Sequence, residues 1–115
     1  MTRPEDRLAE AFEALGIPLQ PGLDTTAEGT YAVYAYDTNS ALHGDDTACL
    51  EDRAWSLVFV APLGVDQRAV REQIRGTIRD LFGVLPSEED VTGGAGGQQY
   101  LYEFETILMG GEPLG

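Results

Sequence analysis

The sequence predicts an α+β domain in which an antiparallel sheet of about four strands is covered by one long amphipathic helix, with an additional helix at the N-terminus. Three observations lead there. Apolar residues recur at helical spacing in two segments; β-branched and aromatic residues cluster or alternate in three others; and the helices are not interleaved with strands in the repeat that a parallel sheet demands. At 115 residues, 43% hydrophobic and 23% charged, the chain has the composition of a globular protein and the length of a single domain, so residues 1–115 read as one unit.

The first helix opens at Thr2-Arg3-Pro4-Glu5. Thr2 can cap, Pro4 suits a first-turn position, and Glu5 stands where a capping box needs it. Leu8, Ala11, Phe12 and Leu15 form its apolar stripe, and Gly16 and Pro18 stop it. A polar connector over 20–29 follows. Tyr31–Tyr36 is aromatic and β-branched, hence a strand, and Asp37 to Thr47 carries turn chemistry in Asn39, Ser40, Gly44, Asp45 and Asp46.

From Cys49 to Val60, Trp55, Leu57 and Phe59 mark a buried face whose series begins in water with Glu51 and Arg53. Val58 and Val60 fill the alternate face, so the far end of this strand is expected to be covered on both sides. Asp66 caps the long helix, in which Val70, Ile74, Ile78, Leu81 and Phe82 share one side, and Gly83 ends it. Residues 86–99, with Glu88-Glu89-Asp90 and a run of glycines, are expected to form a flexible loop. Tyr100 to Met109 is the last strand, with Tyr102, Phe104 and Leu108 on one face, and the tail 110–115 is expected to be loose. Trp55, Leu57, Phe59, Ile74, Ile78 and Phe104 should form the centre of the core.

Twenty acidic residues face seven basic ones, all arginine, for a formal net charge of −13. Such a surface repels phosphate backbones, which argues against direct binding to nucleic acid or an anionic membrane and for a protein partner. No apolar run is long enough to span a bilayer, and Glu5, Asp6 and Arg7 stand where a signal peptide is apolar, so the chain is expected to fold in a cytoplasm.

Cys49, His43 and the carboxylate of Asp45 or Asp46 supply the elements of a nucleophilic site, yet their spacing carries no information about convergence, and a cysteine at the start of a strand is far more often a small apolar filler. Asp37, Asn39, Asp45 and Asp46 lack the ordered spacing of a calcium loop. The run Gly93-Gly94-Ala95-Gly96-Gly97 is followed by neither the Lys-Ser nor the Lys-Thr of a phosphate cradle. No residue is assigned a catalytic, metal-ligating or cofactor-binding role, and no enzyme activity or cofactor is expected. Arg68, Arg71, Arg75 and Arg79 do stand out, at intervals of three, four and four along the long helix. One reading is a solvated face with internal pairs such as Arg68 to Glu72. The other is a basic stripe that meets an acidic surface, around Asp45 and Asp46 or at Glu88-Glu89-Asp90, on another copy of the chain.

The succession of Tyr31 to Tyr36, the loop Asn39-Ser40-Ala41-Leu42-His43-Gly44-Asp45-Asp46, the Trp55-to-Val60 strand, the Arg-rich helix and the closing Tyr100-Leu101-Tyr102-Glu103-Phe104 resembles the tail-terminator or tail-completion (neck) proteins of long-tailed bacteriophages. The resemblance spans most of the chain. It implies a structural protein of the virion, assembled in the bacterial host cytoplasm, that forms a homo-oligomeric ring, usually hexameric, on the major tail tube protein and presents it to the head-tail connector protein. A competing reading, from the charge alone, is an acidic regulatory binding protein, such as a nucleic-acid mimic or an immunity-type inhibitor.

Overall fold

The computed structural model describes residues 3–22, 24–25, 29–40, 50–93, 97–109 and 112–113. Two helices, α1 (Pro4–Ala14) and α2 (Arg68–Phe82), lie on one face of a sheet built from β1 (Leu19–Pro21), β2 (Tyr31–Ser40), β3 (Leu50–Ala61), β4 (Ser87–Asp90), β5 (Gln98–Met109) and β6 (Glu112–Pro113). The α+β class and the two helices are as the periodicity predicts.

The sheet differs from the expected four antiparallel strands. It is mixed, in the order β1-β2-β3-β5-β4 with β6 beside β5, and β1 runs parallel to β2. The three additional strands are two to four residues long, too short for period-two alternation to register. One of them, β4, falls inside the expected loop 86–99, and β6 falls in the expected loose tail. Short edge strands of this kind, one ending in Pro21 and the other reading Ser-Glu-Glu-Asp, limit the backbone offered to stray strands.

Register places Ala32, Tyr34 and Tyr36 beside Phe59, Leu57 and Trp55 of β3, which in turn lie beside Tyr100, Tyr102 and Phe104 of β5. With Leu8 and Phe12 of α1 and Ile74, Ile78 and Phe82 of α2 these make one continuous core, and all six residues expected at its centre are buried. Trp55 is its hub. Its ring stacks on Phe104 at 5.6 Å and 8°, meets Phe82 at 5.7 Å and Tyr36 at 4.9 Å, and donates from Nε1 to the buried Thr106 hydroxyl at 2.9 Å. Pairing that indole N–H removes the main cost of burying tryptophan. On the opposite face Val60 is buried, as the double apolar pattern predicts for the far end of β3, and so is Val33 of β2, while Val58 is half-buried.

The helix termini refine the sequence reading. Arg3 occupies the N-cap of α1 and makes no capping hydrogen bond, since a guanidinium only donates; Thr2, the expected cap, lies outside the described residues, and the Glu5 side chain turns toward Tyr36 and Arg53 of the sheet. In α2, Asp66 accepts the backbone N–H of Arg68 at 3.0 Å although Gln67 holds the formal cap position, so the predicted aspartate does cap. Gly83 closes the helix in the left-handed conformation (φ 72°) and donates its N–H to the Arg79 carbonyl, as a terminal glycine allows.

Strands and helices have unequal reach. A twelve-residue strand such as β3 or β5 spans about 40 Å at ~3.3 Å per residue, whereas the fifteen residues of α2 span about 22 Å at ~1.5 Å per residue. The molecule is correspondingly elongated, 52 × 24 × 21 Å.

Candidate functional site

The arginine stripe of α2 is divided among different partners. Arg71 and Arg75, its two central members, converge on Glu88 of β4. Arg71 donates from Nε to Glu88 Oε2 at 3.2 Å and from Nη2 to Oε1 at 2.8 Å, and Arg75 Nη1 donates to the same Oε1 at 2.6 Å. Tyr102 Oη donates to Oε2 at 2.5 Å, and the Arg71 guanidinium lies 4.2 Å from the centre of the Tyr100 ring. Register explains the convergence: Glu88 stands opposite Tyr102 in the β4–β5 ladder, so its side chain shares the helix-facing side of the sheet.

Burial would push the Glu88 carboxyl up. The hydrogen bonds from Arg71 and Tyr102, with the charges of Arg71 and Arg75, outweigh that and hold it below its ordinary value. The same arrangement raises Arg71, through its bond to Glu88, and Tyr102, through burial and then its bond to Glu88. All of these groups are thereby fixed in their ordinary charge states at neutral pH.

The outer members of the stripe are held only locally and stand in water. Arg68 meets Asp66 at 3.3 Å with its side chain 83% exposed, and Arg79 meets Asp80 at 3.6 Å with 60% exposure. The internal-pair reading of the stripe thus has its counterpart in the structure, with different acids from the Glu72 suggested by spacing. Glu88, expected to face another copy, is bound within its own chain by the two arginines expected to seek it elsewhere. Asp45 and Asp46, like His43 and Cys49, lie outside the described residues.

A second polar cluster was not legible as one. Glu5 is 7% exposed; it accepts from Tyr36 Oη at 3.0 Å on Oε2, from Arg53 Nη1 at 3.4 Å on Oε1, and from Arg3 Nη2 at 3.4 Å. Burial again opposes ionisation of this carboxyl, but its own backbone N–H, the Tyr36 hydroxyl and Arg53 hold it below its ordinary value. The Arg53 guanidinium lies 4.1 Å from the Tyr36 ring centre and its side chain is only 11% exposed. Arg53 was expected in water at the head of its strand; instead α1 covers it and supplies the counter-charge. The available signal was parity, since Arg53 shares a face with Trp55 and Leu57.

Next to this cluster, where β1 stops at Pro21, an open cleft of about 490 Å³ is lined by Glu5, Asp6, Gly22, Tyr34, Ala35 and Tyr36. Among the described residues no three His, Cys, Asp or Glu side chains gather as they would around a metal ion, no buried side-chain polar atom lacks a hydrogen-bond partner, and no helix is long and apolar enough to cross a membrane. No model of a known protein family matches the sequence, and no curated protein matches it.

Proposed function

We propose that this chain is a structural subunit of the neck of a long-tailed phage, forming a homo-oligomeric ring that caps the tail tube and joins it to the head connector. In this reading it catalyses no reaction and holds no cofactor. The observation that carries it is the use made of the polar side chains. The interior carboxylates Glu5 and Glu88 tie helices to strands through Arg53, Arg71 and Arg75, which makes them struts within the fold and leaves recognition to its surfaces. The resemblance supports it further: of the segments that carry it, the tyrosine-bearing strand, the strand through Trp55, the Arg-rich helix and the closing strand occur here, in that order, as β2, β3, α2 and β5, while residues 41–46 of its loop lie outside the described residues.

The arginine assignment changes within this proposal. Arg71 and Arg75 are occupied internally, so the exposed Arg68 and Arg79 are the members of the stripe free to meet an acidic surface, with Asp45 and Asp46 remaining candidates. Sedimentation and electron microscopy of the purified protein, alone and with polymerised tail tube protein, test the reading. Rings of uniform size, seated on one end of each tube, are the expected result; a protein that stays monomeric and ignores tubes refutes it. Stoichiometric capture of a nuclease or toxin by that monomer would favour the acidic inhibitor instead.

A further inference from the structure

The outer edge of β2 is covered for only part of its length. β1 pairs with it at Ala32, Val33 and Tyr34, the chain turns away at Gly22 (φ 103°), and from Ala35 onward β2 has no strand outside it among the described residues. The cleft of about 490 Å³ opens at this point, beside Ala35 and Tyr36, and Asp37 and Thr38 farther along are exposed. The bonds that β1 does make fix the direction of the main-chain groups. Ala32 donates its N–H to the Pro18 carbonyl and the Tyr34 carbonyl accepts from Gly22, so the even-numbered residues of β2 point outward. Tyr36 and Thr38 therefore aim N–H and C=O groups past the end of β1.

The side chains around the cleft select what enters it. Tyr34 and Tyr36 supply two half-buried rings, and Glu5 and Asp6 supply two carboxylates from the first turn of α1. Glu5 Oε2 accepts from the Tyr36 hydroxyl at 3.0 Å and from Arg3 at a longer 3.4 Å. The Arg3 side chain is 71% exposed, so its pairing with Glu5 is weak and open to replacement. Burial, and then the neighbouring Glu5, Tyr36 and Asp6, push the Tyr34 hydroxyl up against the opposing effect of Arg3; carboxylate charge therefore prevails in the cleft. Aromatic rings beside carboxylates recognise cationic side chains. The protein uses that chemistry once already, where Arg53 lies 4.1 Å from the centre of the Tyr36 ring and pairs with Glu5 Oε1.

An open strand edge beside a side-chain pocket is a common means of taking up an extended peptide: main-chain bonds hold it and the pocket selects its sequence. We propose that β2 beyond the end of β1 is a docking site for an extended segment of another protein, which pairs with Tyr36 and Thr38 and places a lysine or arginine in the cleft against Asp6, Glu5 and the two tyrosines. A second copy of this chain does not offer such a segment. The sequence holds no lysine and seven arginines. Arg3 caps α1 and lines the cleft of its own chain, Arg7 belongs to α1, Arg53 is enclosed in β3, and Arg68, Arg71, Arg75 and Arg79 belong to α2. The site goes beyond the ring reading and does not depend on it, since the partner is a different chain.

The probe is a blocked synthetic peptide of about five residues, the length of the free edge, alternating threonine and valine around a central arginine. Titrated into isotope-labelled protein and followed by NMR, it should bind in the millimolar range or tighter and shift the amides of Tyr36 and Thr38. The same peptide with glutamine at its centre should bind about tenfold more weakly, for want of the charge-assisted contacts in the cleft. Asp6→Asn should weaken the arginine peptide and leave the glutamine peptide unchanged. Thr38→Pro removes one edge donor and spares the ladder to β3, so it should weaken both. The amide shifts of the wild type remain a readout even if a variant fails to fold. Equal affinity for the two peptides, shifts confined to amides away from the cleft, or no binding at millimolar peptide overturns the proposal. So does protection of the Tyr36 and Thr38 amides by self-association alone, which would assign this edge to a second copy.

Discussion

Replacing Glu88 with alanine removes four hydrogen bonds at once, two from Arg71 and one each from Arg75 and Tyr102. A hydrogen bond to a charged group contributes about 1.5–3 kcal/mol in isolation, and breaking a buried ion pair costs about 3–5 kcal/mol. Here the values do not add, because the bonds share one carboxylate. The Arg71 and Arg75 side chains, 27% and 33% exposed, also regain water when it leaves. The net loss should be about 2–4 kcal/mol, and at roughly 4 °C per kcal/mol for a domain of this size the melting temperature should fall by about 8–16 °C. Calorimetry or circular dichroism melting at neutral pH measures it, and a fall under about 2 °C would show that the cluster contributes no more than a surface pair. Glu88→Gln adds a check on sign. The folded pKa of Glu88 is depressed, so its ionisation stabilises the fold fully above the ordinary carboxyl value of 4.5 and that contribution disappears as pH falls through the folded value. The stability gap between wild type and Glu88→Gln should therefore be widest near pH 7 and narrow below pH 4.5. Reversing Arg71 and Arg75 to glutamate would crowd three carboxylates at the foot of β4, and the variant should lose stability whether or not it also loses association.

Three further outcomes are expected. Phe59→Ala, at a fully buried position of β3 in the core that the sheet shares with both helices, should cost about 3–5 kcal/mol and leave little of a domain of ordinary stability; a cooperative denaturant transition at the wild-type midpoint would contradict the core assignment. Thr106→Val keeps the side-chain shape but orphans the Trp55 indole N–H, which should cost about 1–3 kcal/mol, measurable as a shifted urea midpoint at unchanged slope. Gly97→Ala places a Cβ against the Ala61 carbonyl at a backbone φ of +113°; overlap and strain together should exceed about 2 kcal/mol, and wild-type stability in this variant would show that the 97 turn relaxes freely.

The parts of the fold legible in the sequence are those whose periodicity outlasts chance. Ile74, Ile78 and Phe82 repeat at helical spacing, and Trp55, Leu57 and Phe59 alternate long enough to fix a face. What escaped did so for local reasons. Leu19–Pro21 and Ser87–Asp90 are strands only because a neighbour supplies their hydrogen bonds; neither has an apolar pattern of its own, and Ser-Glu-Glu-Asp reads as solvent-facing until Tyr102 and two arginines surround Glu88. The same limit hid the Glu5, Tyr36 and Arg53 cluster, whose members are 31 and 48 positions from Glu5 and carry no common spacing. The arginine stripe is legible because helical geometry is local; which acid within the chain meets Arg71 and Arg75 is not, because it depends on the strand that lies beside β5.

The strand order also sets the sequence in which the molecule can assemble itself. β3 and β5 are adjacent in the sheet but separated in the chain by α2 and β4, so pairs such as Leu57 with Tyr102 close a loop of more than forty residues. The adjacent strands β2 and β3, by contrast, need only a short closure. Forming the distant pair means surrendering chain entropy before the core around Trp55 can return it, which places this topology among slow two-state folders, on the scale of milliseconds to seconds. β4 can join only after β5 has arrived, since it touches the sheet nowhere else. It should be the last strand to dock and the first to open, its detachment resisted chiefly by the bonds of Glu88.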